Sequence, residues 1–352
     1  MDKIYKNRYR VIRPLGSGGQ GRVFLVEDLH VDKVWAMKVI EGIHQKKENK
    51  IAAELELQAL RNLNHKNLPM IVDLIEVGDG VGIIMEYIPG EDLENYIRTK
   101  GSLSQEKVVQ WGMVLCDVLQ YLHTRSPVFL YGDLKPANII VTKDEEIRLI
   151  DMGSVLQEHQ IHQYPLLGTY GYMPPERTRD ARSDIYSLGV TLHYMLTGSN
   201  PVTPGCQLRP VREYNSTLSM GLEKIISRCM EREPNKRYQS CKAVRKDLVN
   251  YRLLEQEYIW NYRVACMTYF LLTVNSLAIT AVELYRIYAN GGECRKGYLI
   301  YGMISALIAY GIKKKNINRE NVVMGYYRQE TSIIKSSALH LVNADFKRQA
   351  TE

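Results

Sequence analysis

Between residues 10 and 88 the chain alternates short apolar runs with turn residues, the pattern of β-strands. The runs are Tyr9–Pro14, Arg22–Asp28, Lys33–Ile40, Ile71–Val77 and Gly82–Tyr87. One strongly periodic segment, about Lys50–Leu63, interrupts them and predicts a helix. From Leu93 the spacing becomes mostly helical. Val108–His123 and Ser183–Leu196 carry apolar residues at helical intervals, and Leu222–Met230 reads as a shorter helix. The pattern predicts an α+β chain, a small β-rich lobe followed by a larger helical one.

The polar-to-apolar break comes near residue 260. Val264 to Val282 is 19 residues without a charge, close to the ~20 that span a bilayer as a helix; the alternative is a buried core helix. A second stretch, Gly297 to Ile312, has 16 uncharged residues and reaches about 24 Å at about 1.5 Å per residue. It fits a tight second span, a re-entrant segment or an interfacial helix. Asn290-Gly291-Gly292 before it and Lys313-Lys314-Lys315 after it favour a hairpin, since basic residues collect on the cytoplasmic side.

Composition changes this picture little. The 352 residues are 45% hydrophobic and 24% charged, ordinary for a globular chain. The net charge of +7 comes as interleaved Lys and Glu, so no nucleic-acid partner is expected. Cys116, Cys206, Cys229, Cys241, Cys266 and Cys294 are scattered without a C-x-x-C pair and read as reduced thiols. The N-terminal Met1-Asp2-Lys3-Ile4-Tyr5-Lys6 has no apolar run like a signal peptide, so the first domain is expected in the cytoplasm.

The chemistry lies in three places. Gly16-Ser17-Gly18-Gly19-Gln20-Gly21-Arg22-Val23 is a G-x-G-x-x-G-x-V between two strand patterns. Glycines let a backbone turn approach phosphates. A strand, not a helix, follows the last glycine, which favours a phosphate-covering hairpin over a dinucleotide fold. Next, Trp35-Ala36-Met37-Lys38-Val39-Ile40 holds one cation in an apolar strand. Alternation puts Ala36, Lys38 and Ile40 on one face, toward the hairpin. Such a lysine needs an acidic partner. The following helix offers Glu54 and Glu56, about 200° apart on it, so only one of them can face Lys38.

The third place, residues 131–153, is decisive. Asp133, Lys135 and Asn138 are followed by the strand Ile139-Ile140-Val141, and a second strand, Ile147–Ile150, ends on Asp151-Met152-Gly153. Phosphoryl transfer from ATP needs a group orienting the attacking hydroxyl, oxygen ligands for Mg²⁺ and a cation on the moving phosphate. Asp133, Asn138 with Asp151, and Lys135 suit those roles.

Residues of about 8–252 resemble a Hanks-type serine/threonine protein kinase. The motifs occur in the family's order: G-x-G-x-x-G-x-V, Ala-x-Lys38, Asp133-Leu-Lys-Pro-x-Asn138 and Asp151-x-Gly153, then Gly168-Thr169-x-x-Tyr172-Met173-Pro174-Pro175-Glu176, Ser183-Asp184-Ile185-Tyr186-Ser187-Leu188-Gly189 and Pro234-x-x-Arg237. The resemblance implies a bilobal protein kinase fold with ATP between the lobes. It assigns catalysis to Asp133, Lys135, Lys38 and Glu56, with Glu56 chosen by its distance from Asn64-His65. It gives Asn138 and Asp151 to the metal. ATP would be held by Leu15, Gly16, Ser17, Gly18, Gly19, Gln20, Gly21, Val23, Ala36 and Lys38. Met85 would be the gatekeeper, Glu86 and Ile88 would bond adenine, and Ile140 would lie under the ring. Glu176 should pair with Arg237, Asp184 should anchor the catalytic loop, and Lys135 with Thr169 mark the serine/threonine class. With its apolar tail the chain is similar to bacterial membrane-attached members.

The implied cofactors are ATP and Mg²⁺. The implied partners are a protein substrate, the lipid bilayer and a second copy in a homodimer. The expected division is an extension at 1–8, a kinase domain at 9–252, a juxtamembrane helix at 253–263, a first span at 264–283, a loop at 284–296, a second span at 297–312 and a polar tail at 313–352.

Three departures from the family pattern matter. Tyr131-Gly132-Asp133 stands where the family has His-Arg-Asp. The Tyr131 ring is expected to keep the apolar stack with Leu60, Ile71 and Met152, where Met152 replaces the usual Phe. Gly132 removes the arginine that receives a phosphorylated activation-loop residue, and residues 154–167 contain no Lys or Arg. No cation is therefore expected beside Asp133 to capture such a phosphate. Two other functions compete. A pseudokinase acting as a nucleotide-binding scaffold would have lost one of Lys38, Asp133, Asn138 or Asp151, and an aminoglycoside-type small-molecule kinase would lack the Pro-Pro-Glu segment.

Overall fold

The computed structural model describes residues 3–18, 21–40, 62–78, 80–151, 155–157, 168–176 and 179–290. Its backbone divides into two compact units, residues 1–211 with 224–249, and residues 212–223 with 250–352.

The first unit opens on a six-stranded sheet of order β1-β2-β3-β4-β6-β5. Its strands are β1 (Ile4–Tyr5), β2 (Tyr9–Gly18), β3 (Gly21–Asp28), β4 (Lys33–Ile40), β5 (Ile71–Val77) and β6 (Gly80–Glu86). Every pairing is antiparallel, so alternate residues face opposite sides. One side packs Tyr9, Val26, Met37, Val39, Ile75 and Ile84 into a core. The helix expected over Lys50–Leu63 lies outside the described residues except for Asn62 and Leu63, which are not helical.

The helical part of this unit follows a two-residue strand, β7 (Glu91–Asp92). Helix α1 (Leu93–Lys100) starts where Asp92 caps the Asn95 N–H, and α2 (Gln105–His123) where Ser104 caps that of Lys107. Strands β8 (Phe129–Leu130), β9 (Ile139–Val141), β10 (Ile147–Leu149) and β11 (Leu156–Gln157) form two small sheets, β10-β9-β7 and β11-β8. Helix α3 (Ala181–Thr197) is closed at its start by a capping box of Asp180 with Ser183. It buries most of its residues, and its buried polar side chains Asp184, Ser187, Thr191 and His193 are hydrogen-bonded. Helix α4 (Val211–Tyr214) falls mostly in the second unit and α5 (Met220–Cys229) is divided between the two, while α6 (Cys241–Val249) belongs to the first.

The second unit is dominated by α7, one unbroken 40-residue helix from Tyr251 to Asn290. The Asn250 carbonyl accepts the first bonds, from Leu253 and Leu254. The expected juxtamembrane helix and first span are thus continuous, and the loop expected at 284–296 is helical as far as Asn290. The physical reason is that Glu283 and Arg286 carry no helix-breaking geometry, while Leu284, Tyr285 and Tyr288 continue the apolar spacing. Within α7, Arg263–Arg286 is long and apolar enough to cross a bilayer. The segments expected as the second span and the tail lie outside the described residues.

Candidate active site

The glycine motif is a β-hairpin. Gly16 pairs with Val23, Ser17 with Arg22 and Gly18 with Gly21. Gly21 has φ +126°, and a Cβ there would meet the Val39 carbonyl oxygen at 2.2 Å, so no other residue fits. Gly19 and Gln20, at the tip, lie outside the described residues. Across β3 and β4, Val23 faces Lys38; across β4 and β6, Ala36 faces Met85 and Lys38 faces Ile83. Opposed residues share a side of the sheet, so Val23, Ala36, Lys38 and Met85 all lie on the side away from the Tyr9–Met37 core. Ala36, Met85 and Ile88 are buried, and Leu15, Val23 and Ile140 are half-buried.

Glu86 ends β6, and its backbone N–H donates to the Met70 carbonyl at 2.9 Å. Its carboxylate takes a two-pronged contact from Arg148 on β10, Nη1–Oε1 3.0 Å and Nη2–Oε2 2.7 Å. Arg148 was not singled out by the sequence. An arginine in a two-sided strand is unremarkable until the fold brings β10 to the end of β6.

Lys38 is 4% exposed, and its Nζ donates to Asp151 Oδ1 at 2.5 Å. Glu56, the partner expected from the resemblance, lies outside the described residues, as do Met152 and Gly153. The pair found joins two residues that the sequence assigned to different tasks, 113 positions apart.

The loop after β8 is built around Asp133, which is 4% exposed. Lys135 Nζ lies 2.9 Å from Asp133 Oδ2 and donates to Thr169 Oγ1 at 2.6 Å. Thr169 Oγ1 in turn donates to Asp133 Oδ1 at 2.8 Å, closing a triangle. Gly168 makes the approach possible: with φ +142°, a Cβ there would sit 3.1 Å from the Gly132 carbonyl oxygen. Pro136 opens the short 3₁₀ turn Pro136–Asn138, where its fixed φ and missing N–H are suited. Asn138 Nδ2 then donates to the Asp133 carbonyl at 2.8 Å, and the Asn138 carbonyl accepts from the Ile150 N–H at 3.0 Å. That backbone bond brings Asn138 alongside Asp151. The amide nitrogen of Asn138 being engaged, its Oδ1 is the end offered with the Asp151 carboxylate. Two hard oxygen donors suit Mg²⁺, so these residues fit the implied ion.

Asp184 anchors the same loop from α3. It is 1% exposed. Its Oδ2 accepts from the Tyr131 N–H at 2.8 Å and its Oδ1 from the Gly132 N–H at 2.9 Å. His123 Nε2 lies 2.8 Å from the same Oδ2. Tyr131 is fully buried, and burial beside the Asp151 and Asp133 carboxylates pushes its hydroxyl well above the usual tyrosine range. It is a neutral, apolar-bodied filler.

A family model for the protein kinase domain matches residues 9–249. The chain belongs to the protein kinase domain family. Its kinase domain is 28% identical over 265 residues to the serine/threonine-protein kinase PrkC of Bacillus subtilis, covering 70% of this chain and 41% of PrkC. It is likewise 28% identical over 265 residues to a probable serine/threonine-protein kinase of Clostridium perfringens, covering 70% and 38%. PknB of Mycobacterium tuberculosis is 29% identical over 273 residues, with 69% and 42% covered. The chain thus spans about two fifths of the length of these relatives. The crystal structure of the Mycobacterium tuberculosis PknI kinase domain superposes with a TM-score of 0.58 at 23% identity, covering 71% of this chain and 98% of that one. It shares the bilobal fold, a curled β-sheet lobe and a helical lobe.

Besides Lys135, one more cation feels the Asp133 charge: Arg179, whose pKa burial lowers while the Asp184 and Asp133 carboxylates oppose the shift. Arg179 Nη2 is buried without a hydrogen-bond partner among the described residues. Residues 154–167 carry no Lys or Arg, and Arg179 lies beyond Glu176, outside that segment.

Proposed function

We propose that the chain is a serine/threonine protein kinase, transferring the γ-phosphoryl group of ATP to Ser or Thr hydroxyls of a protein substrate at the cytoplasmic face of a membrane. The observation that carries this reading is the closed contact of Asp133, Lys135 and Thr169 beside Asn138. It sets a carboxylate, a cation and a threonine hydroxyl where an acceptor hydroxyl has to be oriented. Asp133 accepts the hydrogen bond of the attacking hydroxyl and takes its proton as the new bond forms. Lys135 neutralises charge on the transferred group. Lys38 orients the nucleotide phosphates, and the side of the sheet bearing Val23, Ala36 and Met85 covers the adenine with Leu15, Ile88 and Ile140. Asn138 and Asp151 would hold Mg²⁺, which when bound neutralises phosphate oxygens. Membrane attachment rests on Arg263–Arg286, where Met267, Phe270, Leu271 and Leu277 are all exposed, an arrangement suited to lipid.

The test is incubation of the purified chain with radiolabelled ATP, Mg²⁺ and a generic protein substrate, with Asp133→Asn alongside. Label on Ser or Thr that is lost in the variant is expected. Nucleotide binding without any transfer would establish a scaffold instead.

A further inference from the structure

Most polar side chains of a lipid-crossing helix can be served by the helix itself. In α7 the hydroxyls of Thr268, Thr273 and Thr280 donate to the carbonyls of Val264, Phe270 and Ser276, at 2.9, 2.7 and 2.9 Å, each within the preceding turn. Asn275 is different. Its amide carries two N–H donors and a carbonyl acceptor, and it makes no hydrogen bond with any described residue. Asn275 is exposed and stands at the middle of Arg263–Arg286. At that depth no water is present to serve the amide, so leaving it unpaired is unfavourable.

Asn275 also belongs to a seam. Thr268, Leu271, Asn275, Ala278 and Val282 follow one another at intervals of 3, 4, 3 and 4 residues, the spacing by which two helices wind together. All five are exposed. The residues that follow the first four, Tyr269, Leu272, Ser276 and Ile279, are half-buried and lie about 100° further round the helix. The more covered side of α7 is thus not the side that carries the amide. The apolar stretches Val264–Val282 and Gly297–Ile312 contain no other Asn or Gln, so neither offers a second amide to pair with the first.

We propose that this seam is an interaction surface for a second copy of the chain, in a parallel pair of spans whose two Asn275 amides hydrogen-bond to each other at the bilayer centre. An amide is its own complement, since each can donate to the carbonyl of the other. Both copies enter the membrane the same way round, so a two-fold axis along the membrane normal sets every seam residue opposite its counterpart at equal depth. The small Thr268 and Ala278 side chains let the backbones approach, and one Asn within an apolar seam fixes both register and the number of strands. The proposal rests on the membrane reading above.

The experiment introduces single cysteines from Met267 to Val282, Asn275 excepted, into the full chain with Cys206, Cys266 and Cys294 replaced by alanine. Membranes from expressing cells are oxidised with copper phenanthroline. Disulfide-linked dimers are expected to peak at Leu271, Ala278 and Val282 and to fall at Phe270 and Leu277. Adding Asn275→Leu should lower the peak yield about tenfold, whereas Asn275→Gln, which keeps the amide, should retain most of it. Contact made elsewhere in the chain would raise all positions alike. Yields without this period, a maximum at Tyr269, Leu272 and Ser276, or peaks unchanged by Asn275→Leu overturn the proposal. A chain that resists alkaline carbonate extraction yet gives no dimer overturns the pairing alone. Release of the wild type by carbonate overturns the membrane reading and the pairing with it.

Discussion

Arg237 and Glu176, 61 residues apart, meet in a two-pronged ion pair, Nη1–Oε1 2.6 Å and Nη2–Oε2 2.7 Å. The Arg237 side chain is wholly buried. It also donates from Nε to the Glu231 carbonyl at 2.7 Å and stands over the Tyr186 ring. Removing one member leaves a desolvated partner, so Arg237→Ala should destabilise the kinase domain by about 3–5 kcal/mol. Arg237→Lys should recover only part, since a single ammonium cannot reproduce the planar fork. Urea unfolding followed by tryptophan fluorescence measures both; a loss under about 1 kcal/mol for the alanine variant contradicts the role given to this pair.

Asp133→Asn is expected to abolish transfer while nucleotide binding stays close to wild type, because Asp133 engages Lys135 and Thr169 rather than Lys38 or Asp151. Lys38→Ala should lower the rate by roughly 10²–10³, the scale of losing one preorganised charge at a transition state. A fluorescent ATP analogue reports binding, and radiolabel incorporation reports transfer. Near-wild-type transfer by Asp133→Asn would reassign the role of that residue.

Impermeant thiol labelling of single cysteines in intact cells tests the membrane arrangement. Cysteines in the tail at 313–352 should stay protected, and one placed near Asn290–Lys296 should label. Labelling of the tail would leave a single span.

Transfer should be independent of phosphorylation between Asp151 and Glu176. Gly132 brings no side chain, and Arg179 already acts against the Asp184 and Asp133 carboxylates, leaving little net positive field for a phosphate of about −1.5 to −2 charges. Initial rates after phosphatase treatment, and those of a Ser154→Ala/Tyr164→Phe/Tyr170→Phe variant, should match untreated enzyme. A drop of tenfold, about 1.4 kcal/mol in barrier, sensitive to Arg179→Ala, would make Arg179 the phosphate receptor.

The buried thiols should be inert in the native state. Burial raises Cys116 and Cys241 well above the ordinary range and pushes Cys229 up to about 12, so almost no thiolate exists at pH 8. Iodoacetamide mapping by mass spectrometry should find Cys206 modified long before these three.

Much of the nucleotide side was legible because period-2 alternation dictates it. Once Ala36 and Lys38 occupy one strand face, the register of β3 and β6 can only bring Val23 and Met85 beside them. The anchors Asp184, Glu176 and Arg237 were legible through the family resemblance alone; nothing in their local pattern says what they touch. Arg148, His123 and Arg179 escaped notice because their contacts, at separations of 62 residues for Arg148–Glu86 and 61 for His123–Asp184, depend on tertiary placement rather than on any local period. The helix runs past the expected end of the first span for a different reason: a Glu and an Arg within it mark polarity but not a helix stop.

Asp184 grips Tyr131 and Gly132 by their backbone N–H groups, which every residue except proline possesses. The clamp is therefore blind to side-chain identity: the two bonds that hold the loop before Asp133 to α3 ask nothing of the side chains at 131 and 132. Gly132, at φ +78°, also avoids the roughly 1–2 kcal/mol that another residue would lose in that left-handed conformation. A glycine at position 132 thus relaxes the backbone of the very loop that Asp184 holds.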